Sequence, residues 1–585
     1  MHVEAQVYAT LVHVSFTKKF TIWVTIAEIF QLLYLWNYLP IAESAVYGTN
    51  DDALIASISS GQLTGTPEGH LIFINPILSF PMAWLQLILS DLNIYTLALV
   101  LFVTLSFSLI FALIMVQNDM RYESKIILSI FWFLSTITFI SWYALAPTYT
   151  AASLFLAGTS SCFAYYYFSQ SSIIIESKLA FIISVITLIV SLSIRRESFY
   201  IYIFFLLIVI VVQYRNIQKK LKKSIFFGII ALSIFFLNLG AEKLIYNNGI
   251  WKEYYQTNSL RHVIQEREPE RILETKYSEI GWSRSNLDLF VRFILVDQNY
   301  MNSTNMEKIY ELTQENNLSK VINFFTYSNL IANTKLAFNA WTWIVMLLAF
   351  QFSSILLSII KGKEKFKFIF FAFLVTIGVP SLYLILNIYF KLPDRISVSV
   401  MAIVSLLILT LGIDTLGSVI NQKKIYSLIH ISLVLLFSYF YIQRFQMELH
   451  ARAGVYKDLR DIGSDQQQSL SRLTDEILVI GSASVIKAEY QNPYLKFSSL
   501  DSRNKTIILG WHNLSPIWES SIEKYNLPED NFYRNLIKPN IYWATYNDDA
   551  IVMKNHLSEL LNKDILLRDL GAIGYEKYHF YKFYS

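Results

Sequence analysis

The sequence predicts a polytopic α-helical membrane protein, with about eleven transmembrane helices, one interfacial or re-entrant helix and a small extracytoplasmic α/β domain at the C-terminal end. Three observations predict it. Of 585 residues, 54% are hydrophobic and only 16% are charged, against about 25% charge in a typical soluble chain. Apolar runs near the bilayer-crossing length of about 20 residues recur along the first three quarters of the chain. The basic residues between those runs fall on alternate loops, as the rule of positive cytoplasmic loops requires.

The runs at 20–39, 94–116, 125–145, 148–168, 178–194, 199–214, 224–242, 338–360, 367–388, 396–414 and 425–443 are read as spans. Lys18 and Lys19 precede the first, whose length exceeds the roughly 7–15-residue core of a secretory signal. It is read as a retained helix, with cleavage near Ala42–Ala45 as the alternative. Aromatic residues make up 16% of the chain, as interfacial belts favour. The run 71–89 holds Asn75, Pro76, Pro81 and Gln86 and makes a poor span. If it does not cross, the cytoplasmic segments hold sixteen Lys and Arg, among them Lys219, Lys220, Lys222, Lys223, Lys361, Lys363, Lys365 and Lys367. The short outer loops then hold four: Arg195, Arg196, Lys391 and Arg395. A crossing at 71–89 would turn the basic clusters outward, so this segment is read as lying on the outer side.

This topology divides the chain into a multi-span membrane domain, 1–443, with outer loops at 40–93 and 243–337, and an extracytoplasmic domain, 444–585. Strand-like runs at Ile477–Ile480 and Thr506–Leu509 alternate with helical stretches in the tail and predict the α/β domain. The single cysteine, Cys162, excludes an intramolecular disulfide and a cysteine-based metal site. The net charge is +4 without a basic block of nucleic-acid type, so no nucleic-acid partner is expected. No nucleophile elbow, P-loop, zinc pair or dinucleotide fingerprint occurs in a credible context.

Chemistry-bearing residues gather on the outer side. Asp51 and Asp52 lie in Tyr47-Gly48-Thr49-Asn50-Asp51-Asp52-Ala53, just after the first span. Paired carboxylates can act as a general base or ligate a divalent cation such as Mg or Mn. They can equally begin a helix over Ala53–Ser59, with Asn50 or Asp51 as its cap. The same Asn-Asp-Asp-Ala recurs at Asn547–Ala550. His70 is a proton shuttle, a ligand or an interfacial polar residue. Arg195, Arg196 and Glu197 sit at the outer junction of two spans, where arginine forks suit a phosphate, or snorkel with Glu197 as counter-ion. Asp394 and Arg395 add to the same anionic pocket or pair with each other. Glu28, within the first span near Gln31 and Asn37, is expected to hydrogen-bond structurally. Arg261, His262, Arg267, Arg271 and Arg284 in the middle loop read mostly as solvated charge.

The arrangement resembles the GT-C class of membrane glycosyltransferases. The acidic pair Asp51–Asp52 after the first span, a His-x-x-x-x-Asn-Pro-Ile segment from His70 to Ile77, many spans and a soluble outer domain carry the likeness. It covers the architecture of roughly residues 18–443. The tail, with Leu509-Gly510-Trp511-His512 and Ser515-Pro516, looks like the C-terminal part of bacterial membrane proteins of this general type. The resemblance implies a bacterial cytoplasmic-membrane enzyme that transfers a sugar from a polyprenyl-phosphate donor to a cell-envelope glycan, lipid or protein. It implies an inverting mechanism, with an acid of the first outer loop as base or metal ligand and basic residues on the donor phosphate. The Trp-Trp-Asp signature of oligosaccharyltransferases is absent, which argues against N-glycan transfer. Two other readings stay open: an O-antigen-type polymerase or ligase, and a non-catalytic lipid or polysaccharide transporter. The transporter would more often show paired repeats and polar midplane residues.

Overall fold

The computed structural model describes residues 2–38, 44–117, 120–169, 174–214, 221–265, 276–314, 342–359, 365–389, 394–417, 424–470, 477–480, 491–494, 505–527, 532–572 and 578–585. A helix occupies each predicted span: α1 His2–Tyr38, α4 Ile94–Val116, α5 Tyr122–Leu145, α6 Tyr149–Ser169, α7 Ile174–Ile194, α8 Ser198–Val212, α9 Leu221–Tyr246, α13 Thr342–Ile359, α14 Lys365–Tyr389, α15 Asp394–Gly417 and α16 Lys424–Leu470. Among the described residues, five stretches are long and apolar enough to cross a membrane: Ile94–Val116, Tyr122–Leu145, Ser177–Ile194, Ile225–Tyr246 and Arg395–Ile413. Outer helices present Ile29, Leu33, Phe236, Leu237, Leu436 and Phe440 outward. That outward apolar dress is the signature of a lipid-facing helix and is costly in water. The chain is a polytopic helical membrane protein.

The predicted interfacial segment is a helix, α3 Pro76–Ile88, of 13 residues. At about 1.5 Å per residue it is roughly 20 Å long, short of a hydrocarbon core of about 30 Å. Asn75 caps it through Ile77 N, and Pro76 takes the first-turn position that needs no N–H donor.

Two helices form the centre. Almost every residue of α6 is buried, as is α15 from Ser397 to Ile413, the pattern of a helix surrounded by others. Gly158 lets α15 approach, because a Cβ there would lie 2.6 Å from Ile403 Cγ1. Serines join α6 to α7: Ser153 and Ser191 each donate to the other's carbonyl, at 2.9 and 2.8 Å, and Ser160 and Ser184 do the same, both at 2.8 Å. Small hydroxyl residues let two helix backbones close up inside lipid and satisfy their own donors. This seam fixes the outer end of α7 beside the outer start of α6. Glu28 accepts from Thr104 and from Ser108 (2.7 Å), and so ties α1 to α4 as expected.

Outside the bundle the chain forms α2 Asn50–Ser59, α10 Trp251–Gln265, α11 Arg284–Val291, α12 Ser303–Gln314, α17 Pro516–Glu523 and α18 Asn547–Leu561. A five-stranded sheet runs in the order β2-β1-β3-β5-β4. Its strands are β1 Ile477–Ile480, β2 Lys505–Ile508, β3 Ile541–Thr545, β4 Leu566–Ala572 and β5 His579–Tyr584. β1 pairs in parallel with β2 and β3, while β5 pairs antiparallel with β3 and β4. The tail is thus α/β. Its lead-in is helical beyond 443, since α16 continues as one helix to Leu470.

The middle loop is not a separate connector. Trp282, Leu287, Phe290, Leu295 and Met306 share one apolar core with Val479, Trp518, Tyr533, Trp543 and Met553 of the tail. Tyr533 fastens the two, donating to Ile294 O (2.8 Å) and accepting from Val296 N (2.7 Å). The tail also touches the bundle, where Tyr494 donates to Ala144 O at 2.8 Å.

Candidate functional site

The first outer loop is built against the outer ends of α5 and α6. Val46 N donates to Leu145 O at 3.0 Å and Gly48 N to Pro147 O at 3.1 Å. A side chain at Gly48 would meet Thr148 Cγ2 at 2.0 Å, so this approach requires glycine. The loop then turns into α2. Its cap is Thr49, not Asn50 or Asp51: the Thr49 hydroxyl accepts from Asp52 N at 3.2 Å and donates to Asp52 Oδ2 at 2.5 Å. The spacing is that of a capping box. The second Asn-Asp-Asp-Ala also opens a helix, α18, where Asp549 takes Arg292 and Thr545.

The two predicted carboxylates therefore differ. Asp52 is 0% exposed. Besides Thr49, its Oδ1 accepts from the Tyr95 hydroxyl at 2.7 Å and from Tyr149 N at 2.8 Å. Burial pushes its carboxyl up to about 6, against those hydrogen bonds and the field of Arg395. It anchors α2 to the first turns of α4 and α6. Asp51, one residue earlier, is partly exposed and acts electrostatically on both Tyr149 and Arg195.

Arg195 follows the last residue of α7. It donates to the Thr150 hydroxyl, lies over the Tyr149 ring with 5.3 Å to the centroid, and has Glu197 at 3.5 Å. Arg395, in the first turn of α15, acts on Asp52 and Tyr149, and its buried Nε has no hydrogen-bond partner. Asp51, Asp52, Arg195 and Arg395 thus converge on the outer end of α6. The Asp394 side chain lies outside the described residues.

The other predicted residues form a second group. Arg196 is committed to Glu242 of α9 at 2.9 Å, and Glu242 also accepts from Tyr255 at 2.7 Å. Glu197 lies between both arginines, 3.6 Å from Arg196, and is half exposed. His70 stacks on Trp251 with centroids 4.6 Å apart and holds Glu68 Oε1 at 2.6 Å. Burial pushes the Glu68 carboxyl up, but the His70 ring and the backbone N–H groups of His70 and Gly69 more than offset it and leave it below the ordinary range. His70, Arg196 and Glu242 knit the outer loop to α9 and α10, at a distance in contacts from the carboxylate pair.

Sequence reasoning missed several partners. Thr49 was legible as the first residue of Thr-x-x-Asp. Tyr95 and Tyr149 carry no local signal, since each is one aromatic among many at a span end. Trp511 comes from the distant tail. Its ring meets Phe73 edge-on at 4.9 Å, and Phe73 stacks on Tyr149 at 6.0 Å. Arg261, read as solvated charge, is buried. Asp51 and Asp52 do not fit a two-carboxylate cation seat in this arrangement. Both Asp52 oxygens already accept hydrogen bonds, and guanidinium groups supply the local positive charge. Among the described residues no group of three or more His, Cys, Asp or Glu side chains gathers as metal ligands.

No family model matches the chain, and no curated protein does. Among solved structures, the chain is similar to the crystal structure of ArnT from Cupriavidus metallidurans bound to undecaprenyl phosphate. The two are 12% identical, and the likeness covers 96% of this chain and 98% of that one with a TM-score of 0.35.

Proposed function

We propose that this protein is a membrane glycosyltransferase that uses a sugar linked to a polyprenyl phosphate and acts on a cell-envelope acceptor at the outer face of the membrane. The observation that carries the reading is the convergence of Asp51, Arg195 and Arg395 at the outer end of the buried helix α6. A lipid-linked donor keeps its tail in the bilayer and its phosphate at that level. Arginine binds phosphate through a planar fork and stays charged at partial burial.

In this reading Asp51 is the base, because it is partly exposed and acts on Arg195 and Tyr149, whereas Asp52 is buried and held by Thr49, Tyr95 and Tyr149 N. The acceptor hydroxyl attacks the anomeric carbon and its proton passes to an Asp51 oxygen. The bond from that carbon to the phosphate oxygen breaks on the opposite face, inverting the centre. Polyprenyl phosphate leaves with the bonding electron pair, and Arg195 and Arg395 meet its growing charge. Asp52 is a positioning residue, holding α2 so that Asp51 faces the arginines.

The test is transfer from radiolabelled polyprenyl-phosphate sugars by the purified protein in nanodiscs, with envelope extracts as acceptor. Product of inverted anomeric configuration, lost in Asp51→Asn, supports the reading. A well-folded protein that binds these donors yet transfers none of them, with or without Mg or Mn, would sink it in favour of a transporter.

A further inference from the structure

The seam between the middle loop and the tail holds a buried cation with no carboxylate partner among the described residues. Arg261 is 4% exposed. Its Nη2 donates to Asn258 Oδ1 at 2.5 Å and to the Trp511 carbonyl, both neutral acceptors. Among the described residues no carboxylate lies within ion-pair distance of it. A guanidinium withdrawn from water without a counter-ion costs several kcal/mol, so its retention asks for a reason.

The groups around it are also short of partners. Trp511 Nε1, Asn513 Nδ2 and Thr257 Oγ1 are buried donors with no hydrogen-bond partner among the described residues. Buried donors are nearly always satisfied, so three together in two short segments are a departure from the norm. Thr257 and Arg261 stand one helical turn apart on one face of α10. On the same face Tyr254 donates to the Trp511 carbonyl at 2.5 Å. The facing loop is strained as well: Leu514 holds φ at +64°, a left-handed conformation that a branched side chain resists. Burial, helped by the Arg261 charge, pulls the His512 imidazole down to about 3, so it adds no second cation.

The position of this loop matters. The Trp511 ring meets Phe73, Phe73 stacks on Tyr149, and the Tyr149 ring lies under Arg195. The seam therefore adjoins the carboxylate–arginine site through these rings.

We propose that Arg261, with the Trp511 and Asn513 N–H donors, forms a second anion site that takes the acidic group, a carboxylate or phosphate, of the acceptor glycan. Naming the ligand as acceptor rests on the transferase reading; the anion site itself does not. Arg261 supplies the charge, Trp511 and Asn513 complete the donor set, and the loop at Leu514 adjusts as the ligand enters.

The test is thermal unfolding of the full chain in nanodiscs, titrated with glucuronate, inorganic phosphate or glucose. Glucuronate or phosphate stabilises the wild type, and glucose does not. A glucuronate response places a sugar carboxylate in the site, and a phosphate response alone places a phosphate ester there. Arg261→Gln weakens the anion response by roughly thirtyfold or more, whereas Lys524→Gln, at an exposed cation outside both sites, keeps it. Should Arg261→Gln not fold, Trp511→Phe and Arg261→Lys decide instead: the first keeps the charge and lowers affinity severalfold, and the second retains an anion response. No anion response in the wild type, or one unchanged in these variants, overturns the proposal. Neither donor nor transfer is used, so failure here leaves the Asp51–Arg195 reading standing, and failure of the transfer assay leaves the anion site standing.

Discussion

Asp52→Asn isolates what the buried carboxylate costs. The Asp52 carboxyl ordinarily titrates at 3.8, and burial moves it to about 6. A shift of roughly two units is worth roughly 3 kcal/mol between the protonated and ionised forms. The sign follows from proton counting. Between pH 4 and 6 the folded chain holds this proton and the unfolded chain has released it. Rising pH therefore lowers stability through that window, and above it the ionised group carries its full penalty. Asparagine keeps an acceptor for Tyr95 and Tyr149 N and offers its amide to Thr49, whose hydroxyl can accept. The variant should match the wild type near pH 4 and gain on it by up to roughly 3 kcal/mol by pH 7. The assay is thermal unfolding in one detergent across that range, read as the difference between the two proteins. A difference that stays flat with pH would refute the argument and mean that Arg395 pairs with Asp52 closely enough to cancel its burial.

Further substitutions test the site, the loop and the topology. Asp51→Asn should lower transfer by roughly 10²–10⁴ with the fold intact, as loss of a general base does, while Asp52→Asn costs less. Equal loss in both would move the base to Asp52. Arg195→Gln should raise the donor KM with little change in melting, whereas Arg196→Gln, which takes its ion-pair partner from the partly buried Glu242, should lower the melting temperature and leave KM alone. Gly48→Ala should destabilise the outer loop by more than about 2 kcal/mol, since its Cβ overlaps Thr148; a normal melting curve contradicts the loop register. Single cysteines in place of exposed Lys524 and Lys222 test topology against a silent, buried Cys162. Membrane-impermeant maleimide should label position 524 in intact cells and not 222.

The helical frame was legible because its driving force is local. A run such as Ile94–Val116 has no charged residue, and hydroxyls such as Thr104 and Ser106 turn back to its own carbonyls, so its helix is settled by its own composition, and the sequence-read bounds match the helix to the residue. Prolines and polar residues did the same for Pro76–Ile88. The site was legible only in part. The identity of Asp51, Asp52, Arg195 and Arg395 follows from charge at span ends, because such charge is costly wherever it lies. Their division into two groups does not. Arg195 and Arg196 are neighbours in sequence, yet they turn to different helices, since one follows the serine seam toward Thr150 and the other meets Glu242 on α9. Position along a chain cannot separate side chains that a helix end splays apart. The burial of Arg261 was illegible for another reason: its partner is a carbonyl of Trp511, 250 positions away, and a backbone acceptor leaves no mark in the sequence.

The tail enters this site through main chain more than through side chains. Tyr254 and Arg261 of the middle loop both hold the Trp511 carbonyl, and Asn93 of the bundle holds the Pro493 carbonyl at 2.8 Å while also donating to the Tyr47 hydroxyl at 2.7 Å. Tyr47 precedes the Gly48 approach and the Thr49 cap, so one asparagine joins the tail to the loop that carries Asp51. Removing that amide takes one donor from the tail carbonyl and from the loop hydroxyl at once. A contact of this kind couples domain docking to the position of the carboxylate. Displacement of the tail, by a ligand at Arg261 or by its loss, would then reach the loop before Asp51 through Asn93 and Tyr47, and the start of α6 through Phe73 and Tyr149.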